Sequence, residues 1–323
     1  MNKPIVSIVI PVYKVGKYIE NSMKSVIAQS YIDIEIILVD NNTPDDSIEI
    51  AERVLAGTNI QYKVVKQTIQ GLPAARNMGI SEAKGEWIIS IDPDDTISPL
   101  FISELYKTAT ENNLDVVFSE YDEVGEANLF AFPEQNLDNR FEILERDDVM
   151  HRLLTRNLPL MISNMFFRRN WFVKNNFQFD QDVILGADLI LLWKLILSVD
   201  KIGHLNKKLY NHFCRPDSLM TAPSIEKIDS NLSGYNRLCN YISQNYSLEF
   251  SKWLYAREVF ALLNTVCMYG NYKFLKKIIK RYYNKEQYEI LKSFPDKRVI
   301  LMNFILYHSQ FVYFVIMKCL HRK

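Results

Sequence analysis

The sequence contains little of what marks disulfide-stabilised, zinc-binding or redox-active proteins. Only four cysteines occur among 323 residues, and they are Cys214, Cys239, Cys267 and Cys319. No two of them have the spacing of a metal-binding or redox-active pair. The chain is therefore expected to work in a reducing compartment.

The chain also has no excess of charge of one sign, because 38 Lys and Arg residues balance 38 Asp and Glu residues. Net charge therefore gives no reason to expect a nucleic-acid partner. The distribution is uneven, since residues 271–323 contain twelve basic and three acidic side chains, a net charge of +9, which leaves −9 on the first 270 residues. Such asymmetry predicts a basic appendage that contacts an anionic surface.

A signal peptide is not expected either. The apolar run in the opening stretch MNKPIVSIVIPVYK is short, contains Pro11 and is not followed by a small-residue cleavage site, so it predicts a strand. With 48% apolar and 24% charged residues, the composition is that of an ordinary globular protein. Its length suits one large domain, or one domain with an appendage.

Strand and helix patterns alternate along the first 120 residues, where short apolar runs indicate strands and helical apolar spacing indicates helices. The predicted strands are 5–10, 34–39, 60–66, 86–91 and 115–118, and the predicted helices are 17–29, 43–56, 71–84 and 100–112. This order predicts an α/β fold with a mainly parallel sheet flanked by helices. Further along, 141–171 predicts a helix and then a strand, 186–199 a helix, and the chain from 225 onward only helices.

Three carboxylates follow the buried run 86–91, and we call Asp92, Asp94 and Asp95 the acidic motif. In open parallel sheets, ligands bind beyond the carboxyl ends of the strands. Carboxylates so close together repel each other, and a divalent cation such as Mg²⁺ or Mn²⁺ would remove that repulsion and also hold substrate phosphates. The alternative is a solvated loop that caps the next helix, and this alternative is strongest for Asp95.

Polar residues follow two other predicted strands. The first strand ends in Pro11-Val12-Tyr13 and the second in Asp40-Asn41-Asn42. A carboxylate at such a position can accept hydrogen bonds from a base or ribose, although a turn residue is the alternative for Asp40. Arg76 lies on a helix that follows a strand, and its planar guanidinium fits phosphate oxygens unless it only forms a surface salt bridge.

Together these stretches resemble one enzyme family. IVSIVIPVYKVGKYIENSMKSVIAQSY, IILVDNNTPDDS and GLPAARNMGISEAKGEWIISIDPDD are similar to the family-2 glycosyltransferases of the GT-A fold, of the type that builds bacterial O-antigen and capsule polysaccharides. The resemblance covers the first 120 residues strongly and continues more weakly to residue 220. It implies an inverting transfer of a hexose from a UDP-sugar.

The resemblance also implies roles for single residues. The nucleotide-sugar-binding residues would be Pro11, Tyr13, Asp40, Asn41, Arg76, Asp92, Asp94 and Arg215. Asp40 would contact the uracil, and Arg76 would lie near the ribose and diphosphate. Asp92 and Asp94 would form a DxD motif that binds Mn²⁺ or Mg²⁺, with His212 as a further metal or phosphate contact.

The catalytic base is implied by a later segment, FDQDVILGADLILLWKL. Asp188 occupies the position of the family's base at the start of an apolar helix, and Asp182 is the second candidate. The preceding residue is Ala187, where the family usually has Glu, and Asn41-Asn42 stands where the family often has Asp-Gly. The alternative role for Asp188 is a charge that stabilises the helix N-terminus.

The C-terminal region predicts contact with a membrane surface. Residues 272–283 place apolar side chains on one helical face and five cations on the other, as in helices that lie on anionic lipids. Residues 299–317 approach the length of a membrane span, but polar residues at its middle favour two short interfacial helices. The alternative is that both segments pack on the rest of the protein.

We therefore expect a catalytic domain at 1–220, with a nucleotide-binding half at 1–120 and an acceptor half at 121–220, followed by a helical membrane-associated region at 221–323. The chain has neither the Gln-x-x-Arg-Trp motif nor the spanning helices of processive relatives, so transfer of a single sugar is expected. The acceptor implied by the resemblance is a glycan on a polyprenyl diphosphate, at the cytoplasmic face of the bacterial inner membrane. A non-catalytic nucleotide-sugar binding module and, less favoured, a nucleotidyltransferase are the alternatives.

Overall fold

The structure is a computed structural model that describes residues 4–31, 33–132, 141–214 and 223–320. Its strands are β1 (Val6–Val12), β2 (Ile34–Asp40), β3 (Gln61–Lys66), β4 (Trp87–Ser90), β5 (Thr96–Ile97), β6 (Val116–Val124), β7 (Phe141–Glu145), β8 (Met165–Arg168) and β9 (Lys201–Phe213). The helices among the strands are α1 (Ile19–Ile27), α2 (Ser47–Leu55), α3 (Leu72–Glu82), α4 (Phe101–Glu111), α5 (Arg146–Leu154), α6 (Arg169–Lys174) and α7 (Ala187–Leu197). The C-terminal helices are α8 (Ile225–Asn245), α9 (Leu248–Tyr269), α10 (Tyr272–Tyr282), α11 (Lys285–Lys292), α12 (Lys297–His308) and α13 (Gln310–Leu320).

The chain forms two compact units. The first unit comprises residues 1–153, 158–181 and 191–215, and the second comprises 154–157, 182–190 and 216–323. The division runs through α7, whose first turn belongs to the second unit.

The first unit is built on one mixed sheet with the strand order β3-β2-β1-β4-β8-β6-β9-β5, and β7 pairs with β9. Strands β3, β2, β1 and β4 are parallel, as the alternating sequence pattern predicts. The short strand β8 runs antiparallel between β4 and β6. Parallel pairing predominates, so the predicted mainly parallel sheet flanked by helices is confirmed.

The centre of this sheet is apolar on both faces. Every residue of β1 and β4 is buried, because helices cover both sides of a parallel sheet. Trp87 stacks on Phe166 with ring centroids 4.9 Å apart, which joins β4 to the neighbouring strand β8. The rigid centre fixes the carboxyl ends of β1, β2 and β4, where the candidate site residues lie.

Strand β9 was not predicted from the sequence. It pairs with β6, β5 and β7, and most of its residues are buried. Lys207 and Lys208 interrupt its apolar pattern, but they form ion pairs with Glu104 and Asp122 at 2.8 Å and 2.5 Å. These tertiary partners stabilise a strand that the local sequence does not indicate.

The second unit is helical from α8 onward, in agreement with the prediction for that part of the chain. Five of its helices, α8 to α12, begin at a side-chain cap that accepts a hydrogen bond from a backbone N–H group two or three residues further along the chain. The capping residues are Ser224, Ser247, Asn271, Asn284 and Asp296. No helix among the described residues is long and apolar enough to cross a membrane.

The predicted orientation of α10 needs correction. Its apolar residues Leu275, Ile278 and Ile279 are buried, and α10 packs on α9 and α13. This face is therefore part of the helical core and is not available to lipid. The cationic face of the helix, which includes Lys276 and Lys277, is exposed.

Candidate active site

The first part of the site lies where β1 and β2 end side by side. Pro11 is buried within β1 opposite Val39, while Tyr13, just beyond the strand, is 41% exposed. Asp40 ends β2, and its Oδ1 accepts a hydrogen bond from the backbone N–H of Thr43 at 2.9 Å. This bond fixes the carboxylate while the residue stays partly exposed.

Asn41 is bonded almost entirely within the protein. Its Nδ2 donates to the carbonyl oxygens of Gln67 and Ile69 at 3.1 Å and 2.7 Å, and its Oδ1 accepts from the N–H of Gly71 at 2.8 Å. The side chain is only 2% exposed. Asn41 thus holds the loop before α3, and a direct contact with a nucleotide stays a prediction.

A second set of hydrogen bonds fixes the loop after β1. Asp45 accepts from the backbone N–H of Gly16 at 3.1 Å and from the hydroxyls of Thr43 and Ser47. Burial alone would raise the pKa of Asp45, but these bonds outweigh it and hold that pKa below its usual value. The loop beside Tyr13 is therefore tied to the start of α2.

Arg76 and Asp92 form the central ion pair of the site. Arg76 has no exposed side-chain surface, and its Nη2 lies 2.6 Å from Asp92 Oδ1, whose side chain is 24% exposed. The guanidinium carbon also lies 5.4 Å from the centre of the Phe179 ring. A buried guanidinium needs such a partner, and the pair joins α3 to the carboxyl end of β4.

The three carboxylates of the acidic motif differ in how deeply they are buried. Asp95 is fully buried, where its Oδ2 accepts from the Tyr210 hydroxyl at 2.5 Å and its Oδ1 from the Phe213 N–H at 2.8 Å. Burial raises the pKa of Asp95, and hydrogen bonds from His212 and Tyr210 oppose this shift. Asp95 therefore ties β9 to the motif, whereas Asp92 and Asp94 keep part of their surface exposed.

His212 extends from β9 toward the acidic motif. Its Nδ1 lies 3.3 Å from Asp95, and this hydrogen bond, opposed by burial and aided by the charges of all three motif carboxylates, raises the pKa of His212 to about 9. The imidazole is therefore protonated at neutral pH. The negative charge of the acidic motif thus stabilises the protonated form of the His212 imidazole.

The contacts of the acidic motif decide which of its carboxylates can bind a divalent cation. Within the described ranges, no group of three or more His, Cys, Asp or Glu side chains is arranged to hold a metal by itself. Asp95 is occupied by β9 and one oxygen of Asp92 by Arg76. Mg²⁺ and Mn²⁺ are commonly held by one or two carboxylates together with substrate phosphates, and Asp94 with Asp92 fits that arrangement.

Asp188 lies in the second unit. It occupies the first turn of α7 and is partly buried, and a carboxylate in the first turn is stabilised by the positive end of the helix dipole. Asp182 is exposed in the preceding loop. Arg215 lies outside the described residues.

Tyr210 was not predicted from the sequence to have a role, and Asp95 was predicted either to bind a metal or to cap a helix. Tyr210 is fully buried, and its hydroxyl also lies 3.4 Å from the backbone N–H of Asp92. Its position on an unpredicted strand left no local signal. For Asp95, the expected alternative of a helix cap is wrong, because the next residues, Thr96 and Ile97, form the buried strand β5 and not a helix.

Comparison with known proteins decides the family. The model of the family described as Glycosyl transferase family 2 matches residues 7–175. The chain belongs to glycosyl transferase family 2. As a member of this family it is a glycosyltransferase, and both the predicted enzyme class and the predicted family are confirmed.

Two relatives illustrate the similarity. An uncharacterized glycosyltransferase, EpsJ of Bacillus subtilis, is 32% identical over 232 residues, which is 71% of this chain and 67% of EpsJ. A cholesterol galactosyltransferase of Borreliella burgdorferi is 25% identical over 280 residues, 81% of this chain and 77% of the relative.

Solved structures confirm the GT-A fold. S. aureus TarS 1–349 in complex with UDP-GlcNAc superposes with a TM-score of 0.66 at 16% identity, covering 98% of this chain and 91% of that one. The mannosyltransferase PcManGT of Pyrobaculum calidifontis, in complex with GDP-Man and Mn²⁺, gives a TM-score of 0.52 at 14% identity, covering 96% and 89%.

Proposed function

We propose that this family-2 glycosyltransferase transfers a single hexose from a UDP-sugar to a hydroxyl of a lipid-linked glycan, with inversion at the anomeric carbon. The observation that carries the proposal is the buried Arg76–Asp92 pair beside the exposed part of Asp94 at the carboxyl end of β4. The guanidinium of Arg76 and the carboxylates of Asp92 and Asp94 lie at the edge of the sheet where ligands bind, and together they suit the diphosphate of a nucleotide-sugar.

The proposed donor contacts lie at the strand ends of the first unit. The Asp40 carboxylate, already fixed through one oxygen by Thr43, would accept a hydrogen bond from uracil, and Pro11 with Tyr13 would line the base. TarS is a fold neighbour with UDP-GlcNAc bound, whereas PcManGT carries GDP-Man, so fold likeness supports a nucleotide-sugar more firmly than it supports uracil.

We propose Mn²⁺ or Mg²⁺ as the cofactor, held by Asp94 and Asp92 together with the donor diphosphate. When bound, the cation would neutralise the negative charge that develops on the leaving diphosphate. His212 and Arg215 are proposed to contact the metal or the phosphates. A metal bond from His212 would require loss of the imidazole proton, because only the neutral ring can ligate.

Asp188 is the proposed catalytic base. During transfer the acceptor oxygen forms a bond to the anomeric carbon while the bond from that carbon to the diphosphate oxygen breaks. The hydroxyl proton passes to the Asp188 carboxylate, and UDP leaves with the bonding electron pair. Asp188 lies in the first turn of α7, where the positive end of the helix dipole interacts favourably with a carboxylate.

Donor turnover tests the proposal. Release of the nucleoside diphosphate, UDP or GDP, is measured for a panel of UDP- and GDP-sugars with Mn²⁺, with Mg²⁺ and with EDTA, in the presence of a lipid-linked acceptor mimic. We expect metal-dependent release from one sugar and a loss of at least about 100-fold in Asp188→Asn, the scale on which general bases contribute. Tight nucleotide binding without turnover of any sugar would contradict the proposal and indicate a binding module.

The acceptor is proposed to lie on a membrane because the second unit presents a large apolar surface. We call the exposed side chains on α12 and α13 the lipid face, and they are Leu301, Phe304, Tyr307, Phe311, Val312, Val315 and Leu320. Each is at least 42% exposed. The unit agrees here with the prediction of two short helices in place of one membrane span.

Lysines lie around this face. Tyr272 of α10 contacts Phe311 at 5.5 Å between ring centroids, and Lys276 lies 5.6 Å from the Tyr272 ring. On another side, the ring of Tyr307 stacks on that of Tyr288 with centroids 3.8 Å apart. A lysine ammonium group lies 5.7 Å from the centre of the Tyr288 ring. An apolar surface with a rim of aromatic rings and ammonium groups matches an anionic lipid surface, whereas two copies facing each other would bring like charges together.

The proposed location is therefore peripheral, at the cytoplasmic face of the bacterial inner membrane, where polyprenyl-diphosphate glycans of O-antigen or capsule would be assembled. One relative is named as a cholesterol galactosyltransferase, and this name supports the proposal of a lipid acceptor here. No contact of the protein with nucleic acid is proposed.

Vesicle binding tests this location. Sedimentation with phosphatidylglycerol vesicles should bring down the protein, phosphatidylcholine vesicles should bind it less, and added salt should weaken binding. Phe304→Ser with Phe311→Ser should weaken binding about tenfold or more, since each exposed ring contributes about 1 kcal/mol or more on insertion. Leu248→Ser, an equally exposed site on α9, is the control. Equal loss in the control, or a change of oligomeric state in the double variant, would contradict the lipid assignment.

A further inference from the structure

The loop that precedes Asp188 is held by α8. The backbone N–H of Ile184 donates to Ser230 Oγ at 2.9 Å, and that hydroxyl donates to the carbonyl oxygen of Asp182 at 3.0 Å. One hydroxyl thus fixes two peptide groups of the loop. Both bonds lie within the second unit.

The next residue of α8 makes a second connection. Asn231 Nδ2 donates to the Leu185 carbonyl oxygen at 2.9 Å, and the side chain also hydrogen bonds to Glu258 on α9. Asn231 is 1% exposed. Because a side-chain amide has two N–H groups, it can bond the loop and α9 at the same time.

Close packing accompanies these bonds. Gly186 has φ +87°, and a Cβ there would lie 2.4 Å from Asn231 Nδ2. On α8, a Cβ at Gly234 would lie 2.5 Å from Ile190 Cδ1. Both distances are shorter than van der Waals contact, so the absence of side chains at these positions lets the loop and helix approach each other.

We propose that Ser230 and Asn231 are positioning residues for glycosyl transfer. They fix the backbone at 182–186, which leads directly into the first turn of α7, and so they set the position of Asp188. The inference rests on the proposed role of Asp188 as the base. It gives the C-terminal helices a task in the chemistry itself, separate from any contact with lipid.

The test measures UDP-sugar turnover in Ser230→Ala and Asn231→Ala, with the folded fraction taken from circular dichroism. We expect kcat per folded enzyme to fall about tenfold or more in each, with KM for the UDP-sugar unchanged within about twofold, because the proposed donor residues lie in the first unit. Ser230→Thr should keep near wild-type kcat, because its hydroxyl can make the same two bonds. Ser233→Ala, on the exposed side of α8, is the matched control.

A double-mutant cycle tests the close approach directly. Gly186→Ala should lower kcat, and it should do so less in the Asn231→Ala background, because the atom that the new Cβ would meet has been removed. Equal effects of Gly186→Ala in both backgrounds would contradict the packing argument.

Combination with Asp188→Asn separates this inference from the proposed base. If Ser230 acts through Asp188, Ser230→Ala should cause no further loss of kcat in Asp188→Asn. Wild-type turnover in Asp188→Asn would overturn the base and the inference together. Loss in Asp188→Asn with unchanged kcat per folded enzyme in both α8 variants, even with a lower melting temperature, would overturn the inference alone.

Discussion

Neighbouring carboxylates in the acidic motif have different surroundings. Asp95 is fully buried and satisfies the hydroxyl of Tyr210 and the N–H of Phe213, whereas Asp94 keeps part of its surface exposed. A buried carboxylate with this many partners stabilises the fold, and a partly exposed one is available to a ligand. The motif therefore combines a structural carboxylate with partly exposed ones, to which the proposed function assigns the cation.

Paired substitutions should separate these tasks. Asp95→Ala should lower the free energy of unfolding by about 2 kcal/mol, because it leaves a buried hydroxyl and a buried N–H without their acceptor. Asp94→Ala should change stability by less than about 0.5 kcal/mol while reducing UDP release by at least about tenfold. Urea unfolding and the donor assay on both variants give the comparison. A large stability loss in Asp94→Ala would show that the assignment is reversed.

Asp45 should make stability depend on pH. Its pKa is lower in the folded protein than in the unfolded chain, so its contribution is present above the unfolded value near pH 4 and is lost as pH falls through the folded value. Asp45 is exposed, so solvent screens its charge, and Asp45→Asn should destabilise the protein at pH 7 by only about 0.5 kcal/mol. The difference from wild type should shrink below about pH 4. Urea unfolding of both proteins at several pH values tests this. A difference that grows on acidification would contradict it.

For single residues, the sequence predicted where the site residues lie better than it predicted which residues they contact. Asp40, Arg76 and Asp92 lie at the carboxyl ends of buried strands or on the helix beside them, which sequence patterns indicate. That Arg76 is buried against Asp92, or that Asn41 bonds to the following loop, depends on contacts between distant parts of the chain. No local pattern carries that information.

At the scale of helices and strands, the first five predicted strands and four predicted helices all form, with ends shifted by a few residues. The strand at 115–118 is longer than predicted and extends to Val124, because β9 pairs along it as far as that residue. Residues 141–171 begin with the unpredicted strand β7, which pairs with β9. Errors thus concentrate where strands depend on pairing with β9, which itself gives no alternating signal.

Helix α10 provides a prediction about packing. Ile278→Ala should cost about 2–4 kcal/mol of stability, because the side chain is 1% exposed and its removal leaves a cavity against neighbouring helices. Lys277→Ala, one residue earlier on the exposed face, should change stability by less than about 0.5 kcal/mol. If the apolar face of α10 entered lipid instead, Ile278→Ala would leave stability unchanged and weaken vesicle binding. Thermal unfolding and vesicle sedimentation of both variants decide between these outcomes.

At the scale of the whole molecule, the boundary indicated by charge differs from the boundary between the two compact units. The net charge changes sign near residue 270, while the second unit also takes in residues 154–157 and 182–190 from the earlier part of the chain. Sequence composition alone indicates an appendage that begins after the catalytic domain. The segment 182–190 cannot be assigned from composition, because its place depends on bonds to α8 such as those of Ser230 and Asn231.

This chain path predicts how the protein responds to nucleotide. Because α7 runs through both units and the second unit is assembled from three separate segments, neither unit corresponds to a continuous stretch of chain that could fold first and alone. We expect one calorimetric unfolding transition, and UDP with Mn²⁺ should move it to higher temperature. At a ligand concentration of 100 Kd, the free energy of unfolding should rise by about 2.7 kcal/mol. ADP at the same concentration, lacking the pyrimidine, is the control and should stabilise less. Two transitions, of which UDP moves only one, would show instead that the second unit unfolds independently of the nucleotide-binding residues.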